Sequence, residues 1–144
     1  MKNKGLFTGC NRITYAPSFT VSTTSLEGMF KNCVLLSNVT LFDTSNVTDF
    51  KYMFGGESRY NGPGIKTVPL FNTSSATTMA NMFYNCRSLQ SIPLFDTSNV
   101  TNFISFTNGC DALVVFPSID MSNATDIRNL FQNCTAITTI PQLD

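Results

Sequence analysis

The chain has 144 residues, enough for one domain, and nine Lys or Arg residues balance nine Asp or Glu. A net charge of zero leaves no field to draw in nucleic acid or an anionic membrane, and no apolar run is long enough to cross a bilayer. Histidine is absent, which removes the commonest general base, and there is no glycine-rich phosphate loop, so we expect no enzyme and no cofactor.

The chain opens on "MKNKGLFTGC", in which two lysines precede Leu6, Phe7 and Cys10. This is the outline of a lipoprotein signal, but such a signal needs roughly 7–15 apolar residues before its cysteine. Only Leu6 and Phe7 are available, so no signal peptide is visible and Cys10 is read as structural.

From here a unit of about 24 residues returns six times, with coils starting near residues 6, 29, 53, 82, 106 and 130. The phrase "LFDTSNVT" stands unchanged at 41–48 and at 94–101. One column holds Phe7, Phe30, Phe54, Phe83, Thr107 and Phe131. Three residues on stand Cys10, Cys33, Glu57, Cys86, Cys110 and Cys134, which places all five cysteines in one column. Pro17, Pro69, Pro93, Pro117 and Pro141 share another, with Thr40 the exception. Self-similarity at a fixed period marks stacked repeats, because one unit cannot bury its own apolar stripe.

Each unit predicts a short strand, a corner and a short helix. After Phe42, Ser45 is suited to cap a helix, and Val47, Phe50, Met53 and Phe54 follow the spacing of one helical face. Ser74 with Ala76, Met79, Met82 and Phe83 repeats the arrangement, as does Ser122 with Ala124, Ile127, Leu130 and Phe131. Gly9, Asn32, Gly56, Asn85, Gly109 and Asn133 precede the cysteine column, and Gly and Asn tolerate the left-handed conformation that ends a helix. The expectation is an α/β repeat: a single right-handed leucine-rich-repeat solenoid over residues 1–144, with short parallel strands on one face and short helices on the other.

The third coil breaks the period. "ESRYNGPG" at 57–64 replaces the cysteine and adds five residues before Ile65. Insertions in repeat proteins become loops on one face, often the binding face. Arg59, Tyr60 and Asn61 are contact-type residues on this loop, and Lys66 and Arg87 are expected nearby on the strand face. These five form the candidate binding site.

The cysteines read as a buried row of free thiols, since no pair has the close spacing of a zinc site and an odd number cannot fully pair. Asp43, Asp96, Asp120 and Asp144 form a row with Thr20 and Asn72 in the remaining places. Such a row could hold calcium, but Asn and Thr substitute freely in a turn cap that bonds its own backbone, and that reading is preferred. No metal site is expected.

The stretch "MFYNCRSLQSIPLFDTSNVT" resembles the bacterial surface leucine-rich repeat family (BspA-like), and "FDTSNVT…MF" resembles a variant found in surface proteins of gut bacteria, mycoplasmas and their phages. The resemblance implies a non-enzymatic protein-binding or adhesion module of a bacterial or phage surface protein. The alternative is a structural subunit of a phage virion or other assembly, packed against its neighbours. The implied location is the cell surface, the extracellular space or a phage particle. The implied partners are a protein or glycan ligand on the concave face and further repeats or neighbouring subunits at the ends, with no nucleic acid and no membrane insertion. The chain departs from larger family members in showing no secretion signal, anchor or capping segment.

Overall fold

Residues one repeat apart sit side by side. In the computed structural model, which describes residues 4–143, Ser25 bridges Asp49, Asp49 bridges Thr78, Thr78 bridges Asn102 and Asn102 bridges Asp126, all in parallel. The copies are therefore successive coils of one stack, and the core runs between this row and a second row of extended chain. In that second row β1 (Tyr15–Ala16) pairs in parallel with β2 (Asn38–Val39), Tyr15 opposite Asn38, and Val115 bridges Thr139.

The expected α/β solenoid is wrong in its elements. Among the described residues there is no helix, and the two strands are two residues long. The segments read as helices are chains of linked turns. Leu26, Gly28, Phe30 and Asn32 donate their N–H groups to the carbonyls of Asp49, Lys51, Met53 and Gly55, one repeat later. The amides between them turn inward: Met29, Lys31 and Cys33 donate to Leu26, Gly28 and Phe30. An α-helix would direct its N–H groups, after the first four, to carbonyls four residues back in the same segment and not to the neighbouring coil.

Left-handed residues enforce the alternation. Gly28, Tyr52, Asn81, Ser105 and Asn129 have φ between 52° and 66°, in the middle of each supposed helix. Asn32, Asn85, Gly109 and Asn133 follow four residues later at φ 60° to 79°. A left-handed residue at every fourth position stops a right-handed helix before it completes a second turn. The helical spacing nevertheless identified core residues: Val47, Phe50, Met53 and Phe54 are all buried. Ile127, in the last coil, is exposed.

The strand row is thin for a chemical reason. Thr40 donates its N–H to the Ala16 carbonyl, 3.0 Å away, and this bond helps pair β2 with β1. Pro69, Pro93, Pro117 and Pro141 occupy the same column and have no N–H to give. What remains between later coils is sparse, for example Gln90 N–H to the Lys66 carbonyl and Thr138 N–H to that of Val114.

The repeated phrase supplies the corner. Asp43 accepts the Ser45 N–H at 2.9 Å, and Asn72, Asp96 and Asp120 do the same for Ser74, Ser98 and Ser122. The carboxylates thus cap turns as expected, and the cap is Asp43 where Ser45 was expected. Asp144 lies outside the described residues. Thr44, Thr73 and Thr97 are buried, and their hydroxyls donate to the carbonyls of Asn72, Asp96 and Asp120 in the following coil. Thr48, Thr77, Thr101 and Thr125 donate the other way, each to a carbonyl of the preceding coil. Asn99 and Asn123 likewise reach back to the carbonyls of Ser74 and Ser98.

Inside the stack the Phe column forms a ladder. Phe7, Phe30, Phe54 and Phe83 lie ring over ring at 5.5, 5.6 and 5.8 Å, with interplanar angles of 10° or less. At the next place Thr107 donates its hydroxyl to the Leu130 carbonyl, and the neighbouring Phe106 fills the space with an edge-on ring 5.3 Å from Phe83.

Candidate binding site at the inserted loop

The five extra residues of the third coil are folded tightly against the stack. Two glycines allow it. A Cβ on Gly56 would collide with Gly62, and a Cβ on Gly62 would collide with the backbone of Asn85. Asn85 locks the closure, donating its side-chain amide to the Gly56 carbonyl at 3.1 Å. Asn61 N–H closes a turn on the Ser58 carbonyl, and Pro63 is buried. At the loop entrance Glu57 donates its backbone N–H to Asn32 Oδ1, and its carboxylate pairs with Lys31 at 2.8 Å.

This closure brings three of the five expected residues together around a fourth, Asp111. Arg59 Nη2 lies 3.3 and 3.2 Å from the two Asp111 oxygens, and Arg87 Nε lies 2.6 Å from Oδ2. The Arg87 guanidinium also sits over the Tyr60 ring, 5.4 Å from its centroid, a cation–π arrangement. A shallow hollow of about 210 Å³ opens beside them, lined by Val34, Tyr60, Pro63, Arg87 and Ser88 among others. Asn61 contributes its backbone turn, and Lys66 stands apart: its carbonyl accepts the Gln90 N–H, but it does not line the hollow.

Asp111 was missed by the sequence reading, although a signal existed. Arg87 follows Cys86 and Asp111 follows Cys110, so the two stand in one column of adjacent coils with opposite charges.

The strand face is a separate feature. Tyr15, Asn38, Lys66, Thr67, Gln90, Ser91, Val114, Val115, Thr138 and Thr139 are all exposed, and their chemistry changes from coil to coil. The opposite row repeats Thr at 48, 77, 101 and 125.

Four of the five cysteines are shut inside the stack. All five are free, four are buried and Cys10 is partly so. The thiols of Cys33, Cys86 and Cys110 donate to the carbonyls of Phe7, Phe54 and Phe83, and that of Cys134 to Thr107, at 3.0 to 3.2 Å. Burial disfavours the thiolate. It pushes Cys33 up to about 11, and raises Cys86, Cys110 and Cys134 as well.

A family model described as "Mycoplasma protein of unknown function, DUF285" matches residues 4–115. No curated protein matches the chain. The crystal structure of a leucine rich cell surface protein from Faecalibacterium prausnitzii A2-165 is similar over 94% of this chain, at 14% identity and a TM-score of 0.46. This chain spans 61% of that protein's length. Among the described residues no helix is long and apolar enough to cross a membrane.

Proposed function

The chain belongs to the DUF285 family, and from that premise we propose that it is a non-enzymatic binding module of a surface protein, of the BspA-like kind with the FDTSNVT…MF repeat. Its partner is a protein or glycan engaged by the strand face and the inserted loop, at the cell surface, outside the cell or on a phage particle. One observation carries the reading. The corner residues that hold the coils together are nearly uniform, whereas the exposed strand column runs Tyr15, Asn38, Thr67, Ser91, Val115 and Thr139, with only Thr used twice. Packing alone asks for uniformity at equivalent places, and a recognition surface asks for different side chains on a rigid frame. The absence of histidine and the high pKa of the buried thiols support a role without catalysis.

The test is binding of the fluorescently labelled chain to an array of extracellular-matrix proteins and glycans. The parent chain is compared with a strand-face variant carrying Thr67→Ala, Gln90→Ala, Val114→Ser and Thr138→Ala. A partner bound by the parent and lost in the variant, at an unchanged melting temperature, is the expected result. Equal binding by both chains would place the contact elsewhere and overturn the reading of the strand face.

A further inference from the structure

Resting on that reading, we propose that the Arg59–Tyr60–Arg87 cluster is an anchor for an acidic side chain of a protein partner, with an apolar neighbour seated beside it. The charge balance comes first. Two guanidiniums share the single carboxylate of Asp111, and the nearby Glu57 is already paired with Lys31. The cluster therefore holds one net positive charge in a chain whose total is zero. Lys4 and Lys51 also share one acid, Glu27, but Asp49 lies close enough to act on Lys4 and offsets the excess there.

The hydrogen-bond inventory points the same way. Each guanidinium carries five N–H donors. Arg59 uses only Nη2 and Arg87 only Nε within the protein. The remaining donors belong to side chains that are 48% and 41% exposed. An incoming carboxylate would gain charge-assisted, paired hydrogen bonds from a fork that Asp111 already holds in place.

The surroundings favour a protein over a sugar. Val34 lines the hollow, and Leu35, the next residue, is 55% exposed. Tyr60 is 76% exposed, the most exposed of the large hydrophobic side chains among the described residues. Arginine and tyrosine are enriched in protein-interface hot spots, and Val34 and Leu35 lay apolar surface beside them. The loop is also pre-ordered by the Gly56, Gly62 and Asn85 contacts, which reduces the entropy lost on binding.

The experiment is an amide-shift titration of the isotope-labelled chain with the peptide acetyl-Leu-Glu-Leu-Glu-amide. The same peptide with Gln for Glu and an oligogalacturonate serve as comparisons. Shifts centred on residues 59–64 and 87–88 are expected, weakened roughly tenfold by the Gln peptide and by Arg59→Ala or Arg87→Ala. Arg87→Lys keeps the charge and retains part of the binding, and thermal melts confirm that each variant is folded. Equal binding of the Gln peptide, tighter binding of the oligogalacturonate, or no shift at the loop overturns the anchor. Shifts centred on Thr67 and Gln90 also overturn it, and leave the wider strand-face reading standing.

Discussion

Thr97 Oγ1 donates to the Asp120 carbonyl across 2.6 Å, from a side chain that is 2% exposed. The hydroxyl joins two coils where water cannot substitute for it. Thr97→Val keeps the shape and removes the donor, leaving the Asp120 carbonyl without that partner. A loss of roughly 1–3 kcal/mol is expected, read from urea denaturation, with Thr97→Ser losing less. Equal stability of Thr97→Val and the parent would show that the carbonyl finds another donor.

Phe83 is fully buried and lies parallel to Phe54 at 5.8 Å. Phe83→Ala removes the ring from the middle of the ladder and leaves a cavity, at about 3–5 kcal/mol. Tyr60→Ala, on the exposed loop, is expected to change stability by no more than about 0.5 kcal/mol. Denaturant melts of the two variants separate these outcomes clearly.

Thr40 is the single non-proline in its column. Thr40→Pro removes both its N–H and its hydroxyl bond to the Ala16 carbonyl. The expected cost is about 1–2 kcal/mol, with faster hydrogen exchange at Asn38. Pro93→Thr restores an N–H to the equivalent place but frees the unfolded chain, so its net effect is smaller than that of Thr40→Pro.

The thiols set an alkaline limit. Burial raises the folded pKa of Cys33 to about 11 from the ordinary thiol value of 9.0. In this sense of shift, the stabilisation is whole below pH 9.0 and is lost as pH climbs toward about 11, because the unfolded thiol ionises first. Melting temperatures are therefore expected to fall over that window, and less steeply in Cys33→Ala. A thiol reagent at neutral pH is expected to modify Cys10 first, with the four buried thiols reacting only on unfolding.

Asp111 holds the loop through its ion pair with Arg59 and is paired with Arg87 as well, and its side chain is 18% exposed. Asp111→Ala leaves two guanidiniums facing each other without their shared anion. Trypsin is then expected to cut after Arg59 several-fold faster, while the melting temperature moves little, since partly exposed pairs contribute up to about 1 kcal/mol. An unchanged cleavage rate would mean that the Gly56–Gly62 closure alone fixes the loop.

The repeat, its register and its core were legible because they rest on side-chain burial. Val47, Phe50, Met53 and Phe54 announced one buried face, and the cysteine and phenylalanine columns announced ladders. The backbone was not legible from the same pattern. A turn chain with left-handed residues every fourth position buries nearly the same set of positions as a helix. The distinguishing signal was the column Gly5, Gly28, Tyr52, Asn81, Ser105 and Asn129, where two glycines and two asparagines interrupt the supposed helix. Tyr52 and Ser105 obscure it, since neither favours positive φ. At the loop, Arg59 and Tyr60 were visible as an irregularity in the period, and Arg87 as an expected neighbour on the strand face. Asp111 was hidden because its partner is one coil away and is found only by reading down a column.

The direction of the bonds between coils has a consequence for length. Leu26, Gly28, Phe30 and Asn32 point their N–H groups toward the C-terminal end of the stack, whereas Thr48, Thr77 and Thr101 point theirs toward the N-terminal end. Ser37 and Asn38 in the strand row also point back, both to Thr14. Peptide dipoles along the axis therefore oppose one another within every coil. An α-helix aligns them and carries partial charge at its two ends. Here the bonds within each coil run both ways and offset one another in part, so an added coil contributes less axial dipole than the same bonds would if aligned.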